Sequence, residues 1–165
     1  MLNYIKTTLN TDFGMDTIVY YNPTSYDKRD EILQQLSTNP GFVNYTGHCT
    51  TAGWSSPAIG VTDIATLPME GKYSFVVNNC CKSNNFTIGE CFGEALMRKE
   101  NGGAIGVIGA SNETLWNEDY YWGVGAKYPF SLSPSYQSDA LGAFDRWFHT
   151  RMESVEDYVL TQGQM

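Results

Sequence analysis

Short runs of apolar residues, each bounded by turn residues, are the most regular feature of the sequence. Four of them, at residues 17–21, 42–45, 73–77 and 104–108, are rich in β-branched or aromatic side chains and predict β-strands. Two of the runs are apolar at nearly every position, which is typical of strands that are covered on both faces.

Between and after these strands, apolar residues recur at helical spacing in three segments. The first helix is predicted at residues 26–36, with Thr24 and Asp27 as a capping box at its start. The second is marked by Phe92, Ala95 and Leu96, with Arg98 and Lys99 in its last turn, and the third is a longer stripe over residues 141–159. Strands that alternate with helices in this way predict an α/β fold with a mostly parallel sheet and helices on both faces.

Length and composition narrow the class of protein. A chain of 165 residues, 42% of them hydrophobic, is long enough for one domain with a real core. Its net charge of −8 disfavours nucleic acid as a partner, because binding there is driven by contacts of basic residues with phosphates. We expect no membrane span, since no apolar run approaches the roughly 18 to 20 residues that one needs. The first residues also lack the basic and apolar regions of a signal peptide.

The four cysteines, Cys49, Cys80, Cys81 and Cys91, are too few for a disulfide scaffold in a chain with this much apolar content. Their spacing also lacks the paired pattern of a structural zinc site. The sequence therefore predicts one or more free thiols, either buried or reactive.

A histidine and a cysteine pair follow two successive predicted strands. His48 comes after the second strand, and Cys80 and Cys81 come directly after the third. Because ligands bind at the carboxyl ends of the strands in such sheets, we expect these side chains to lie close together, as a cysteine nucleophile and its base require. The alternative is that the cysteines are inert packing residues. His149 lies beside the apolar stripe of the third helix and is interpreted as a packing or surface residue.

Several motifs in this region resemble the gingipain family of cysteine endopeptidases. They are residues 43–48 (VNYTGH), 79–81 (NCC) and 91–98 (CFGEALMR). Two later motifs, residues 108–111 (IGAS) and 116–122 (WNEDYYW), resemble the arginine-specific gingipains in particular. The resemblance implies a caspase-like fold and hydrolysis of peptide bonds after a basic P1 residue, through a thioester acyl-enzyme.

The resemblance also implies roles for individual residues. Cys81 takes the position of the nucleophile and His48 that of the general base and acid, and Cys80 then packs against the core. The backbone N–H groups of Cys49 and Cys81 form the oxyanion hole. Trp122 matches a wall of the P1 pocket, with an ordinary core aromatic residue as the alternative.

One residue departs from the family pattern. The family usually has Gly-His-Gly, whereas this chain has Gly47-His48-Cys49. If the position needs a positive φ, Cys49 would be strained there and would misdirect the oxyanion donor. A second hypothesis is that Cys49 forms a disulfide with Cys81 and switches the nucleophile off.

The resemblance further implies that residues 1–165 form a single gingipain-like peptidase subdomain, truncated at both ends. The acid that orients the histidine, and the acidic residue that selects P1, would lie upstream in the rest of a longer polypeptide. Catalysis would need no cofactor and no metal. A structural calcium ion is compatible with the family, with Glu118 and Asp119 as candidate ligands or as solvated turn residues. Substrates would be proteins or peptides, and the protein would be secreted or on the cell surface.

Two other functions remain open. A catalytically silent module would bind peptides in the same groove without cutting them, and Cys49 and the missing acid favour it. A sortase-like transpeptidase of the same fold would transfer the acyl group to an amine. A thiolate at Cys81 near neutral pH would favour the enzyme over the silent module.

Overall fold

A computed structural model describes residues 1–18, 28–69, 71–125, 135–148 and 152–159. The chain divides into two compact units. The sheet unit comprises Tyr20–Thr114, and the terminal unit comprises Met1–Val19 together with Leu115–Met165. The prediction of one domain over residues 1–165 stays a prediction.

Helices and strands alternate along the described residues. In chain order they are α1 (Leu2–Thr7), which continues as a π-helical turn over Thr8–Asp12, α2 (Arg29–Ser37), β1 (Phe42–Thr46), β2 (Cys49–Thr50), β3 (Gly53–Ser55), β4 (Ala58–Gly60), α3 (Val61–Thr66), β5 (Ser74–Asn79), α4 (Phe92–Arg98), β6 (Ala104–Gly109), α5 (Trp116–Val124) and α6 (Ala143–Trp147).

The sheet unit is built on a parallel sheet of three strands in the order β1, β5, β6. All six residues of β5 are buried, so the central strand is covered on both faces. These strands confirm three of the four predicted ones and the predicted α/β fold with a parallel sheet. Of the fourth, at residues 17–21, Thr17 and Ile18 lie in neither helix nor strand, and residues 19–21 lie outside the described residues.

A second, antiparallel sheet of three short strands follows β1 directly. In it β3 pairs with both β2 and β4. The pairing depends on Gly53, whose φ of 148° is closed to other residues and where a Cβ atom would lie 2.2 Å from the carbonyl oxygen of Ile59. This sheet was not predicted from the sequence, since its strands have two or three residues each.

The helices of the sheet unit follow the predictions where they are described. Helix α2 confirms the one predicted at residues 26–36, although its predicted cap at Thr24 and Asp27 lies outside the described residues. Helix α4 confirms the second prediction, and its first turn is capped by Glu94, whose carboxylate accepts the backbone N–H of Cys91 at 2.9 Å.

A core of aromatic and aliphatic side chains joins the two sheets to the helices. Trp54 of β3 lies at its centre, stacked on Tyr45 with ring centroids 4.4 Å apart and tilted against Phe92 of α4 at 5.4 Å. Its indole N–H donates to the Asn78 side-chain oxygen of β5 at 2.9 Å. Further buried members of this core are Leu36, Ile59, Ile64, Val76, Cys80, Ala95, Leu96 and Ala104.

The terminal unit contradicts the prediction of a long third helix. Helix α6 ends at Trp147, and residues 152–159 form turns and irregular structure. Met152 has a φ of 62° and is 98% exposed, so it cannot continue a helical apolar stripe. The chain instead turns back on α6, where the Val159 N–H donates to the Arg146 carbonyl at 3.1 Å. None of the helices in the described part of the chain has the length and apolar character that a membrane crossing requires.

Candidate active site

The His48 segment leaves the carboxyl end of β1. The last paired residue of this strand, Thr46, lies opposite Asn79 of β5, and the Gly47 N–H still reaches the Asn79 carbonyl at 3.4 Å. A Cβ atom at Gly47 would lie 2.6 Å from the Tyr45 hydroxyl, so a larger residue there would displace this hydroxyl. His48 follows at once, with its side chain exposed.

Two hydrogen bonds hold the main chain of His48. Its carbonyl accepts the Tyr45 hydroxyl at 2.9 Å and the Ser55 N–H at 2.8 Å. Burial raises the pKa of Tyr45, so its hydroxyl keeps the proton that it donates. The imidazole is therefore attached to a backbone that is fixed from two sides.

The Cys81 segment leaves the carboxyl end of the neighbouring strand, β5. The Lys82 N–H donates to the Asn112 carbonyl at 2.9 Å, and Lys82 has a left-handed φ of 58°. The half-buried Cys81 Sγ accepts the Thr114 N–H at 3.4 Å, with the Thr114 carbonyl at 3.7 Å. The loop that follows β6 thus supports the cysteine.

The parallel register brings the two predicted site residues to one edge of the sheet. His48 lies two positions beyond Thr46 and Cys81 two positions beyond Asn79, and Thr46 and Asn79 are register partners on adjacent strands. Their immediate neighbours, Cys49 and Cys80, have Cα atoms 5.4 Å apart. This arrangement agrees with the expectation that the His48 and Cys81 segments lie close together.

Those neighbours form a disulfide bond, which corrects two predictions. Cys80 is buried against the core as expected, at 1% exposure, but it is not a free packing thiol. The prediction that Cys49 pairs with Cys81 is wrong. Successive side chains at a strand end point in opposite directions, so that when Cys80 faces Cys49, Cys81 faces Thr114 instead. The free thiols are Cys81 and Cys91.

The expected strain at Cys49 is absent. Cys49 lies in β2, and it is not among the non-glycine residues with positive φ that the structure describes. Because Ser55 donates to His48, the next pair of this antiparallel ladder, Cys49 and Trp54, is a non-hydrogen-bonded one. The N–H of Cys49 then points away from β3. The Cys81 N–H donates no hydrogen bond within the described residues.

An ion pair lies next to the cysteine. The Lys82 ammonium contacts the Glu113 carboxylate at 2.8 Å, which raises the pKa of Lys82 and lowers the pKa of Glu113. Lys82, Glu113 and Thr114 were not predicted from the sequence. The last two follow β6, whose carboxyl end leads to the same sheet edge, so the reasoning used for His48 and Cys81 would have found them.

Trp122 belongs to the terminal unit. It lies on α5, is 39% exposed, and packs edge to face against Trp147 and Phe144 at 5.5 Å and 6.3 Å. These contacts agree with the alternative of an aromatic packing residue, and the P1 role stays a prediction. His149 lies outside the described residues.

The candidate calcium ligands Glu118 and Asp119 lie in the first turn of α5. Within the described ranges, no group of three or more His, Cys, Asp or Glu side chains is placed to hold a metal ion. Calcium also takes backbone carbonyl and water oxygens as ligands, and the calcium site at Glu118 and Asp119 stays a prediction.

Comparison with known proteins identifies the family. The sequence profile of peptidase family C25 matches residues 3–146. Two Lys-gingipains of Porphyromonas gingivalis, HG66 and W83, are 34% and 35% identical to this chain over 157 residues, which is 94% of this chain and 9% of each relative.

Solved structures agree with this assignment. The Arg-specific cysteine proteinase gingipain R superposes with a TM-score of 0.62 and 27% identity, over 69% of this chain and 27% of that one. Another protease structure gives a TM-score of 0.65 and 34% identity, over 70% of this chain and 26% of that one. The caspase-like fold is thereby confirmed. The chain spans about 9% of the length of its curated relatives, and it belongs to peptidase family C25, the cysteine peptidase family of the gingipains.

Proposed function

We propose that this chain carries the nucleophile, Cys81, and the general base, His48, of a cysteine endopeptidase that cleaves after a basic residue. The observation that carries the proposal is their common position, two residues beyond paired ends of adjacent parallel strands. In a chain of family C25, an exposed imidazole and a half-buried free thiol at one sheet edge have the chemistry that peptide cleavage needs.

The reaction would proceed in two steps. The Cys81 sulfur attacks the carbonyl carbon of the scissile bond, and His48 accepts the thiol proton and then gives it to the leaving amine. A thioester forms between Cys81 and the acyl part of the substrate. His48 then takes a proton from water, which attacks the thioester and breaks the carbon–sulfur bond; the acid is released, and His48 gives the proton to the Cys81 sulfur to restore the free thiol.

Two backbone donors are available for the oxyanion in each step. The Cys49 N–H points away from β3, and the Cys81 N–H lies on the nucleophile itself. An amide can fill this role whatever side chain it carries, so Cys49 in place of glycine is compatible with it. The Thr114 N–H, at 3.4 Å from Cys81 Sγ, would also stabilise negative charge on the sulfur.

Lysine is the P1 residue that we propose. The identity to the Lys-gingipains, 34 to 35%, exceeds the 27% identity to gingipain R. We therefore propose lysine rather than arginine at P1, although two motifs resemble the arginine-specific gingipains. Trp122 remains a candidate wall of the P1 pocket.

A secreted or surface location is part of the same proposal. The Cys49–Cys80 disulfide supports it, because such bonds form and persist in oxidising compartments and are rare in the cytosol.

Affinity labelling tests the proposal. The protein, in the form that its gene encodes, is treated with a lysine or an arginine chloromethyl ketone, and the modified residue is located by mass spectrometry. We expect rapid labelling of Cys81, faster with the lysine reagent, and cleavage of a lysine peptide. Cys81→Ala should abolish both, and His48→Ala should slow both by about 100-fold or more.

Cys91 is the matched control thiol. It is 0% exposed, and burial raises its pKa, so it should react slowly, and Cys91→Ala should leave the labelling of Cys81 unchanged. Equal, slow labelling of Cys81 and Cys91 would overturn the proposal and favour a silent peptide-binding module. Amine adducts on the cleaved product would instead indicate transpeptidation.

A further inference from the structure

We infer that Cys49 and Cys80 are positioning residues for the proposed catalytic pair, and that their disulfide holds the His48 segment against the Cys81 segment. The inference rests on the proposed function of His48 and Cys81. Cys49 directly follows the base and Cys80 directly precedes the nucleophile, so the cross-link joins the two segments at the positions next to both reacting groups.

The hydrogen bonds of the sheet end just before this point. Pairing of β1 with β5 ends at Thr46 and Asn79, and one residue further the Gly47 N–H reaches the Asn79 carbonyl at the long distance of 3.4 Å. Beyond it the disulfide continues the connection with a covalent bond.

Each segment also has an anchor of its own, beside the buried Trp54 that contacts Tyr45 and Asn78 beneath both. The His48 carbonyl is held by Tyr45 and Ser55, which belong to its own strand and to the hairpin that follows. Cys81 and the residue after it are instead held by the loop after β6, through Thr114 and Asn112. Without the cross-link, the two supports can shift relative to each other, and the distance between imidazole and thiol shifts with them.

The two sulfurs differ in accessibility, which makes the bond testable. Cys80 is buried, whereas Cys49 is only partly so. A dithiol such as dithiothreitol can attack Cys49 Sγ, break the Cys49–Cys80 bond and close to its own cyclic disulfide. Two electrons and two protons pass to the protein, which then carries two thiols in place of the bond.

The expected effect is opposite in sign to the usual behaviour of thiol peptidases, which reductants activate by regenerating the nucleophile. In this protein a mild monothiol that keeps Cys81 reduced should sustain activity, and complete reduction of Cys49–Cys80 should lower kcat by about 10- to 100-fold, the range expected for misplacement of a catalytic group. We expect KM to change little, because reduction removes no side chain that the proposal assigns to substrate binding.

The experiment compares the oxidised protein, the fully reduced protein and the double variant Cys49→Ala/Cys80→Ala, all below their unfolding temperatures. For each protein we would measure kcat and KM on a lysine peptide, and the rate of Cys81 alkylation by iodoacetamide from pH 5 to 9. The double variant should match the reduced protein in its kinetic constants and in its alkylation rates, and adding reductant should change neither. Alkylation of Cys81 should need a higher pH in the double variant and in the reduced protein than in the oxidised protein, because His48 no longer assists the thiol.

A cross-link that only stabilises the fold would give a different result. It would lower the unfolding temperature and leave kcat and the alkylation profile unchanged, and this would overturn the inference. Should the double variant fail to fold, reduction of the wild-type protein provides the same test. If the oxidised protein neither cleaves nor labels preferentially at Cys81, the proposed function itself fails; if it does both and reduction leaves kcat unchanged, only the positioning role fails.

Discussion

Among single residues, Trp54 makes the contact that best explains how the candidate site is supported. Its ring stacks on Tyr45, which holds His48, and its indole N–H bonds to Asn78, three positions before Cys81. One buried side chain thus lies beneath both proposed catalytic segments.

Replacing this indole should therefore destabilise the fold. Trp54→Phe keeps an aromatic ring but leaves the buried Asn78 oxygen without its donor, and we expect a loss of roughly 1–3 kcal/mol in the free energy of unfolding. Urea denaturation at pH 7 measures it. Tyr73→Phe, at an exposed aromatic residue, is the control and should change the free energy by less than about 0.5 kcal/mol. Equal effects of the two variants would contradict this account of Trp54.

The position of the site could be predicted from single residues, but its covalent structure could not. His48 and Cys81 follow from the rule that parallel strands share a carboxyl edge. Which of two adjacent cysteines faces Cys49 depends on the direction in which each side chain leaves the strand end, and that is a property of the register. Thr114 follows the third parallel strand to the same edge, so its position was predictable, whereas its hydrogen bond to Cys81 Sγ depends on the path of the loop.

At the scale of elements, the hairpin of β2 and β3 decides where Cys49 lies. Its fold depends on Gly53, at which any side chain would collide with the backbone of β4. We expect Gly53→Ala to cost roughly 2–4 kcal/mol, from the strained φ and the collision together. Gly89→Ala is the matched control, because Gly89 also has a positive φ but has open space around it.

Thermal unfolding of both variants checks this. The melting temperature should fall further for Gly53→Ala, with a loss of activity that the Gly89 variant does not share. A Gly89 variant as unstable as the Gly53 variant would mean that φ alone, and not the approach of β4, sets the cost.

Helix α4 gives a pH dependence with a definite sign. The hydrogen bond from the Cys91 N–H lowers the pKa of Glu94 below its ordinary value of 4.5. A carboxylate with a depressed folded-state pKa stabilises the fold fully above the unfolded value, and this contribution is lost as the pH falls through the folded value. Stability from Glu94 should therefore be present above about pH 4.5 and disappear below it.

The variant Glu94→Gln isolates this contribution, because glutamine can still accept the hydrogen bond but does not titrate. We expect the wild type to be the more stable at pH 7, by a few degrees in melting temperature, and the difference to shrink below pH 4.5. Glu100→Gln, at an exposed residue, should show no such convergence. A difference that does not depend on pH would refute the role of the charge.

Elements with a strong local signal were predictable, and those defined by tertiary contacts were not. The three strands of the parallel sheet and helices α2 and α4 follow from apolar runs and turn residues. The apolar spacing at residues 141–159 suits a helix as well as the spacing in α2 and α4 does. Among the described residues of that stretch, however, only Ala143–Trp147 is helical, and Met152 is exposed with a left-handed backbone. Periodicity shows which face could be buried, and not whether another element is there to cover it.

For the whole molecule, the disulfide should contribute to stability as well as to the site. It closes a loop with a sequence separation of 31 residues, and the loss of chain entropy in the unfolded state corresponds to roughly 3–4 kcal/mol. Reduction should lower the free energy of unfolding of the wild type by this order. The variant Cys49→Ala/Cys80→Ala should not respond to reductant, and a response there would assign the effect to another group.

The enclosed loop also contains an exposed lysine, Lys72, just before β5. Under the proposed preference for lysine, the protein would present a cleavable bond of its own between the two halves of the proposed catalytic pair. A cut after Lys72 would divide the polypeptide between His48 and Cys81, yet the bond between Cys49 and Cys80 would keep both pieces in one molecule. On a gel, such self-nicked protein would run as two fragments with reductant and as one band without it, and it would retain both halves of its site after autolysis.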